Sequence, residues 1–289
     1  MLSAAAKVNL VLEVLGKRDD GYHEIATVMQ TVDLTDRLTL EESDAVDLRV
    51  SGASVPADAT NLAVRAALAL RAAAGIDRGV RVALDKRIPV AAGLGGGSAD
   101  AAAVLVGLNR LWGLRWPRAR LEEVAVGLGM DVPFFLQGGG ALATGRGEVL
   151  APVATGGLGL VLVNPRHGSS TAEVYGRVTP AIYSDGHRAR VMVLALGSRR
   201  ATRVAASLYN GLEAAVAPCA PEIGRMRAAL LAAGALGAAM SGSGPTVFGV
   251  ARSYEHARQI RARVTRPSWA CWAVRTTRGP AVQIRSGAR

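Results

Sequence analysis

Fifteen consecutive residues constrain this chain more than any others: Pro89-Val-Ala-Ala-Gly-Leu-Gly-Gly-Gly-Ser-Ala-Asp-Ala-Ala-Ala103. Four glycines (Gly93, Gly95, Gly96, Gly97) fall within five positions. Beyond them Val104, Leu105, Leu108, Leu111 and Trp112 recur at the spacing of an amphipathic helix. Glycine allows positive φ and lets a ligand approach the backbone without a Cβ in the way. A helix start adds unpaired N–H groups and the positive end of the helix dipole. Together they make an anion site, and phosphate suits it best. A flexible turn before a core helix would use the same glycines. Ser98 and Asp100 at the helix start, and the dense glycine run, favour phosphate.

Two familiar phosphate loops fit poorly. The P-loop needs Lys-Ser or Lys-Thr after its last glycine, and neither follows here. The dinucleotide fingerprint G-x-G-x-x-G matches Gly93 and Gly95 but puts Ser98 in the third place. It should also open the first βα unit, with an acidic residue about 20 positions on. This loop lies about a third of the way along, and from Arg118 the chain reads Arg, Ala, Arg, Leu before Glu122.

The length, 289 residues, suits one large domain or two modest ones. Half of the residues are apolar but only 4% are aromatic, so the cores must be built from Ala, Val and Leu. No apolar run reaches the roughly 20 residues of a membrane helix. Ala228–Met240 comes nearest and holds two glycines, while Lys7, Asn9 and Glu13 interrupt what could pass for a signal peptide. A soluble cytoplasmic protein that uses neither membrane nor nucleic acid is expected. The net charge of +11 invites a nucleic-acid reading. However, 31 of the 34 basic residues are Arg and only Lys7, Lys17 and Lys86 are Lys, which is a compositional bias. The arginines are dispersed, without interleaved aromatics. Cys219 and Cys271 stand far apart, as do His23, His167, His187 and His256, so neither a disulfide scaffold nor a metal cluster is legible.

Alternation over Lys7–Val14 predicts a strand, and Arg37–Glu41, Val46–Val50 and Val80–Leu84 predict three more. Helices are predicted over Asn61–Ala74, ending at Gly75, and over Arg118–Leu128, ending at Gly129. Asp131-Val-Pro133 resembles a helix start, with a short strand near Ala141–Thr144. Pro and Gly cluster over Ala151–Gly159, which suggests a boundary. The second half reads as a strand (Leu160–Asn164), then helices near Thr171–Val178, Arg188–Leu196, Ala201–Tyr209 and Pro221–Ala233. Strands follow at Gly237–Met240 and Thr246–Ala251, then a helix over Tyr254–Val264 and a strand over Ala270–Arg275. The last dozen residues read as a frayed basic tail. Strands and helices mix without a strict βαβ period, so the expected class is α+β with two domains, 1–153 and 154–289.

Three further segments carry candidate chemistry. Lys7 and Asn9 stand two apart on a strand and share a face. Asp131 could be a helix cap, or a carboxylate with work of its own. Met240-Ser-Gly-Ser-Gly-Pro-Thr-Val-Phe248 joins two strand-like runs and could be a simple hairpin turn.

Taken in order, Ala6-Lys-Val-Asn-Leu10, Pro89 through Asp100, and Gly242-Ser-Gly-Pro-Thr-Val-Phe248 resemble the three motifs of the GHMP small-molecule kinases. Within that superfamily, Arg18-Asp-Asp-Gly-Tyr-His23 and Gly129-Met-Asp-Val-Pro-Phe134 look like the signatures of one branch. That branch phosphorylates the 2-hydroxyl of a cytidine diphosphate-linked methylerythritol in non-mevalonate isoprenoid biosynthesis. The resemblance spans residues 5–275 and implies a two-domain fold with the active site in the cleft between domains. It places ATP on Pro89, Val90, Ala91, Ala92, Gly93, Leu94, Gly95, Gly96, Gly97 and Ser98, with Lys7 and Asp131 catalytic. Asn9, Tyr22, His23 and Tyr175 would bind the substrate, the tyrosines stacking on the pyrimidine. Mg²⁺ would accompany the nucleotide; no carboxylate cage is visible, and only Ser98 is a candidate contributor. One departure stands out: Asn210-Gly-Leu-Glu213 reads where Asn-Asp-Leu-Glu is expected, so that segment receives no catalytic role. Residues 182–200 match nothing in the pattern. The rivals are another GHMP kinase, of mevalonate or homoserine type, and a non-enzymatic nucleotide-binding protein. The oligomeric state, monomer or weak dimer, is left open.

Overall fold

The computed structural model describes residues 1–284. Its spine is a long antiparallel hairpin of β1 (Leu2–Lys17) and β2 (His23–Ser43). Every residue of β1 from Leu2 to Val14 is buried. The expected half-buried strand over Lys7–Val14 is therefore both longer and more enclosed. Helices cover one face of the hairpin and a second sheet covers the other, so alternation no longer marks an inside. The first half of β2 escaped the sequence reading because Thr27, Gln30 and Thr31 are polar, yet all three are buried and hydrogen-bonded.

After β3 (Val46–Ser51), α1 (Leu62–Ala74) begins at an Asn61 side chain that accepts from Ala63 N at 3.0 Å. It ends at Gly75, with φ +63°. Such an N-cap contributes about 1 kcal/mol, and a left-handed glycine is the ordinary helix stop. β4 (Gly79–Asp85) leads to α2 (Gly96–Leu111), α3 (Arg118–Val126) and α4 (Val132–Gln137), then to β5 (Gly140–Thr144) and β6 (Val149–Val153). Ala63, Ala66 and Ala67 of α1 are buried, as are Ala99 and Ala101–Ala103 of α2. A core this poor in aromatics packs by bringing helix backbones close. α3 ends at Gly127 in right-handed geometry, two residues before the expected stop at Gly129.

The second half builds a four-stranded antiparallel sheet in the order β11 (Ala270–Arg275), β7 (Gly159–Asn164), β10 (Val247–Ala251), β9 (Gly237–Met240). α9 (Pro221–Ala232) and α10 (Tyr254–Val264) pack their buried faces on it. Between β7 and α9 run α5 (Thr171–Gly176), α6 (His187–Gly197), α7 (Ala201–Ala206), β8 (Tyr209–Asn210) and α8 (Leu212–Val216). The helix predicted over Ala201–Tyr209 stops at Ala206, because Tyr209 and Asn210 pair in parallel with Val11 and Leu12. Likewise Val282–Ile284 is not frayed: as β12 it pairs with Leu2–Ala4. The rest of the predicted tail, residues 285–289, lies outside the described residues. β12, β1, β2, β4 and β3 run in that order in the first sheet; β8 joins at β1, and β5 with β6 joins at β2. The architecture is α+β, as expected.

Candidate active site

A cavity of about 1010 Å³ opens where the hairpin of the first sheet meets α2, α4, α5 and the β9–β10 turn. At one end lies the glycine segment. Ala91, Gly93 and Gly95 all take positive φ, at +50°, +73° and +71°. No side chain caps the start of α2 at Gly96, so its first-turn N–H groups have no side-chain acceptor. Gly93 is required by close approach, since a Cβ there would lie 2.0 Å from the Ser241 carbonyl oxygen. Ser241 Oγ donates to Gly93 O at 2.8 Å and accepts from Asn9 N at 3.2 Å. The Met240–Phe248 segment is therefore more than a hairpin turn: it braces the glycine segment. Pro89–Gly93 and Gly95–Ser98 line the cavity, whereas Leu94 turns into the core at 1% exposure. Leu94 contributes through its carbonyl, which accepts from Lys7 N at 3.0 Å.

Lys7 and Asn9 share a face of β1, as their spacing predicts. Lys7 Nζ donates to Asn9 Oδ1 at 2.5 Å and lies 3.4 Å from Asp131 Oδ2. Asn9 Nδ2 donates to Thr27 Oγ1 at 2.8 Å, which fixes the amide orientation. Asp131 occupies the cap position of the six-residue α4 but makes no capping hydrogen bond. Its carboxylate is left for Lys7 and for the cavity, which it lines.

At the other end are Tyr22, His23 and Tyr175. The His23 and Tyr175 rings stand 5.4 Å apart and tilted by 36°. Tyr22 is half exposed, with the Arg146 guanidinium 5.1 Å from its ring centre. The ring next to Tyr175 is thus His23, while Tyr22 pairs with an arginine. Burial, with the nearby Lys17 charge, holds the His23 imidazole below its ordinary pKa. A neutral ring offers one donor and one acceptor nitrogen. Burial and the Asp131 charge push the Tyr175 phenol well above its ordinary range, so it stays an O–H donor. Thr171 leads α5 into the cavity, and its hydroxyl lies 2.9 Å from that of Ser243.

Sequence reasoning missed Arg146, the wall of Val55, Asn61, Leu62 and Leu84, and the buried Lys86 with Asp36 and Asp100. One signal for Lys86 was available: all three lysines of this arginine-rich chain line the cavity. Where Arg is the default cation, a retained Lys marks a place that needs a compact ammonium. The Asn210–Glu213 segment keeps a structural task without the expected Asp. Asn210 Nδ2 donates to the Met240 and Gly242 carbonyls, and Glu213 Oε1 accepts from Met240 N. Residues 182–200 likewise dock on the spine, through Glu13 Oε2 accepting from Ala189 N at 2.8 Å. Among the described residues no group of three or more His, Cys, Asp or Glu is placed to hold a metal, and no helix is long and apolar enough to cross a membrane.

An uncapped helix start and a lysine–carboxylate pair share one cavity. The family models for the GHMP kinases N terminal domain and the GHMP kinases C terminal match residues 61–139 and 192–268. The 4-diphosphocytidyl-2-C-methyl-D-erythritol kinase of Pelotomaculum thermopropionicum is 51% identical over 266 residues, covering 91% of this chain and 93% of its own. A crystal structure of 4-(cytidine 5'-diphospho)-2C-methyl-D-erythritol kinase superposes with a TM-score of 0.81 at 38% identity, covering 96% of this chain and 99% of that one. Homoserine kinase from Cytophaga hutchinsonii shares the fold, with a TM-score of 0.76 at 21% identity over 98% of this chain and 96% of its own. The chain belongs to the GHMP kinases, and within them to the 4-diphosphocytidyl-2-C-methyl-D-erythritol kinase family.

Proposed function

We propose that this chain transfers the γ-phosphoryl group of ATP to the 2-hydroxyl of 4-diphosphocytidyl-2-C-methyl-D-erythritol, a step of non-mevalonate isoprenoid synthesis. The observation that carries the reading is the Lys7–Asp131 pair, 3.4 Å apart in the same cavity as the uncapped start of α2. The ATP phosphates would lie over Gly93–Ser98, held by backbone N–H groups and the helix dipole. Val55, Leu62 and Leu84 would take the adenine. The cytosine would enter between Tyr22, His23 and Tyr175.

Asp131 orients the tertiary 2-hydroxyl and accepts its proton as the oxygen attacks the γ-phosphorus. A bond forms from that oxygen to phosphorus, the bond to the β,γ-bridging oxygen breaks, and ADP leaves. Lys7, 3.4 Å from Asp131, would also face the transferring group. The transition state is loose, so positioning and electrostatics carry most of the rate. A nucleotide-borne Mg²⁺ needs only one or two protein oxygens, the rest coming from phosphates and water. The Ser98 hydroxyl at the helix start fits that requirement, and the ion would neutralise phosphate charge there. The chain divides near Val153 and Ala154 into the half bearing loop, lysine and aspartate and the half bearing Tyr175. Its partner is this small molecule rather than nucleic acid or membrane, and its place is the cytoplasm.

A coupled assay of ADP release with the cytidine diphosphate substrate tests the reading. Substrate-dependent ADP release is expected. Turnover of mevalonate or homoserine with none of this substrate would overturn it, and so would nucleotide binding without any turnover.

A further inference from the structure

Beneath the phosphate loop lies a charged cluster that the chemistry above does not use. Lys86, just after β4, is 6% exposed, and its Nζ donates to Asp36 Oδ2 at 2.5 Å and to Asp100 Oδ2 at 2.8 Å. Asp36 comes from β2 and Asp100 from the early turns of α2. The two carboxyl groups are not equivalent. Asp36 Oδ1 also accepts from the N–H groups of Arg87 and Ile88, at 2.6 and 2.9 Å. Asp100 Oδ1 is buried without a partner. Burial alone would lower the Lys86 ammonium, but Asp100 and Asp36 raise it, so it stays charged. Asp36 thus has three hydrogen-bond donors around it, while burial pushes the Asp100 carboxyl up.

The cluster touches the loop directly. An ideal Cβ on Gly96, the first residue of α2, would stand 3.0 Å from Lys86 Nζ. Lys86, Gly96 and Asp100 all line the cavity. The start of α2 attracts phosphate through about half a positive charge. Bare carboxylates under the same turn would cancel that attraction. A compact ammonium fits against Gly96, where the planar guanidinium of Arg would not.

We propose that Lys86 is a positioning residue for the nucleotide: clamped between Asp36 and Asp100, it fixes the first turn of α2 against β2 and keeps net negative charge from under the phosphates. The inference rests on the placement of ATP over Gly93–Ser98. It therefore needs a control for that placement alone. Gly97 serves, because a Cβ there meets only Leu62 Cδ1 at 3.5 Å and otherwise faces open space. Gly97→Ala suits the helix but fills the cradle.

Steady-state kinetics of the full chain with ATP and the cytidine diphosphate substrate provide the test. Lys86→Met should raise the KM for ATP tenfold or more while the KM for the cytidine substrate moves less than twofold. Removing one partner of a buried ion pair can unfold a protein. Lys86→Met/Asp100→Asn, which also removes an ionisable carboxyl, should fold and show the same split. Equal shifts in both KM values, or an ATP KM within twofold of wild type, would reduce Lys86 to a structural residue. If Gly97→Ala leaves the ATP KM unmoved, the loop placement fails and the proposal fails with it. If Gly97→Ala raises it and the Lys86 variants do not, the clamp alone is wrong.

Discussion

The two ends of the cavity are built from different materials. The end proposed for the phosphoryl donor is mostly backbone: positive-φ residues, an uncapped helix start and a Gly93 carbonyl that accepts from the Ser241 hydroxyl. The acceptor end is mostly side chains, with Tyr22, His23, Arg146 and Tyr175 drawn from three separate stretches of chain. A backbone site recognises charge shared by any phosphate, and a side-chain site recognises one ring. Superfamily members can therefore keep the first while changing the second. Asp131 and Lys7 lie where the two meet.

That contrast can be broken by experiment. The largest effect is expected at the junction: Asp131→Asn should lower kcat by about 10²–10⁴-fold, the usual worth of a general base, with the thermal midpoint unchanged. Near-normal turnover would return Asp131 to the status of a silent helix-start residue. Lys7→Met should reduce kcat about a hundredfold, the order of one lost electrostatic stabiliser, measured at saturating concentrations of both substrates. Next, Tyr175→Ala should raise the KM for the cytidine substrate about 5–150-fold, from the roughly 1–3 kcal/mol of base stacking, and leave the ATP KM nearly alone. Equal effects on the two would erase the division of labour. Half-exposed Tyr22 should give a smaller shift of the same kind on change to Ala.

The smallest effect concerns stability under the donor end. Asp100 is pushed up to about 8, by burial first and by the Asp36 charge as well, against Lys86. The folded state then holds this proton more tightly than the unfolded chain does. Its stabilisation is present at acid pH and is lost as pH rises from the ordinary carboxylate range through about 8. Thermal midpoints of the wild type should fall across that window more steeply than those of Asp100→Asn. Parallel profiles would show that another group governs the slope.

The donor end was largely legible in the sequence because its signals are local. Glycine density, the helix after it and the α1 stop at Gly75 all act within a few residues. The Lys7–Asn9 pair was legible for the same reason, through the two-residue period of a strand. Leu94 was the exception, since only packing turns that side chain into the core. β8 and β12 were invisible because two or three residues become a strand only when β1 is there to pair with. The first half of β2 hid behind buried polar residues whose partners come from distant segments.

The residues of this chain determined by themselves a glycine-rich helix start without a side-chain cap, a mixed α+β order and a lysine and asparagine on one strand face. Those properties follow from backbone freedom and periodicity, which neighbouring residues set. Only the tertiary structure decided that Asp131 faces Lys7 instead of capping its helix, that His23 stands against Tyr175, and that Lys86 lies between two carboxyl groups beneath the glycine segment. Each of these depends on a distance between residues far apart in sequence, fixed by how the helices pack on the β1–β2 hairpin.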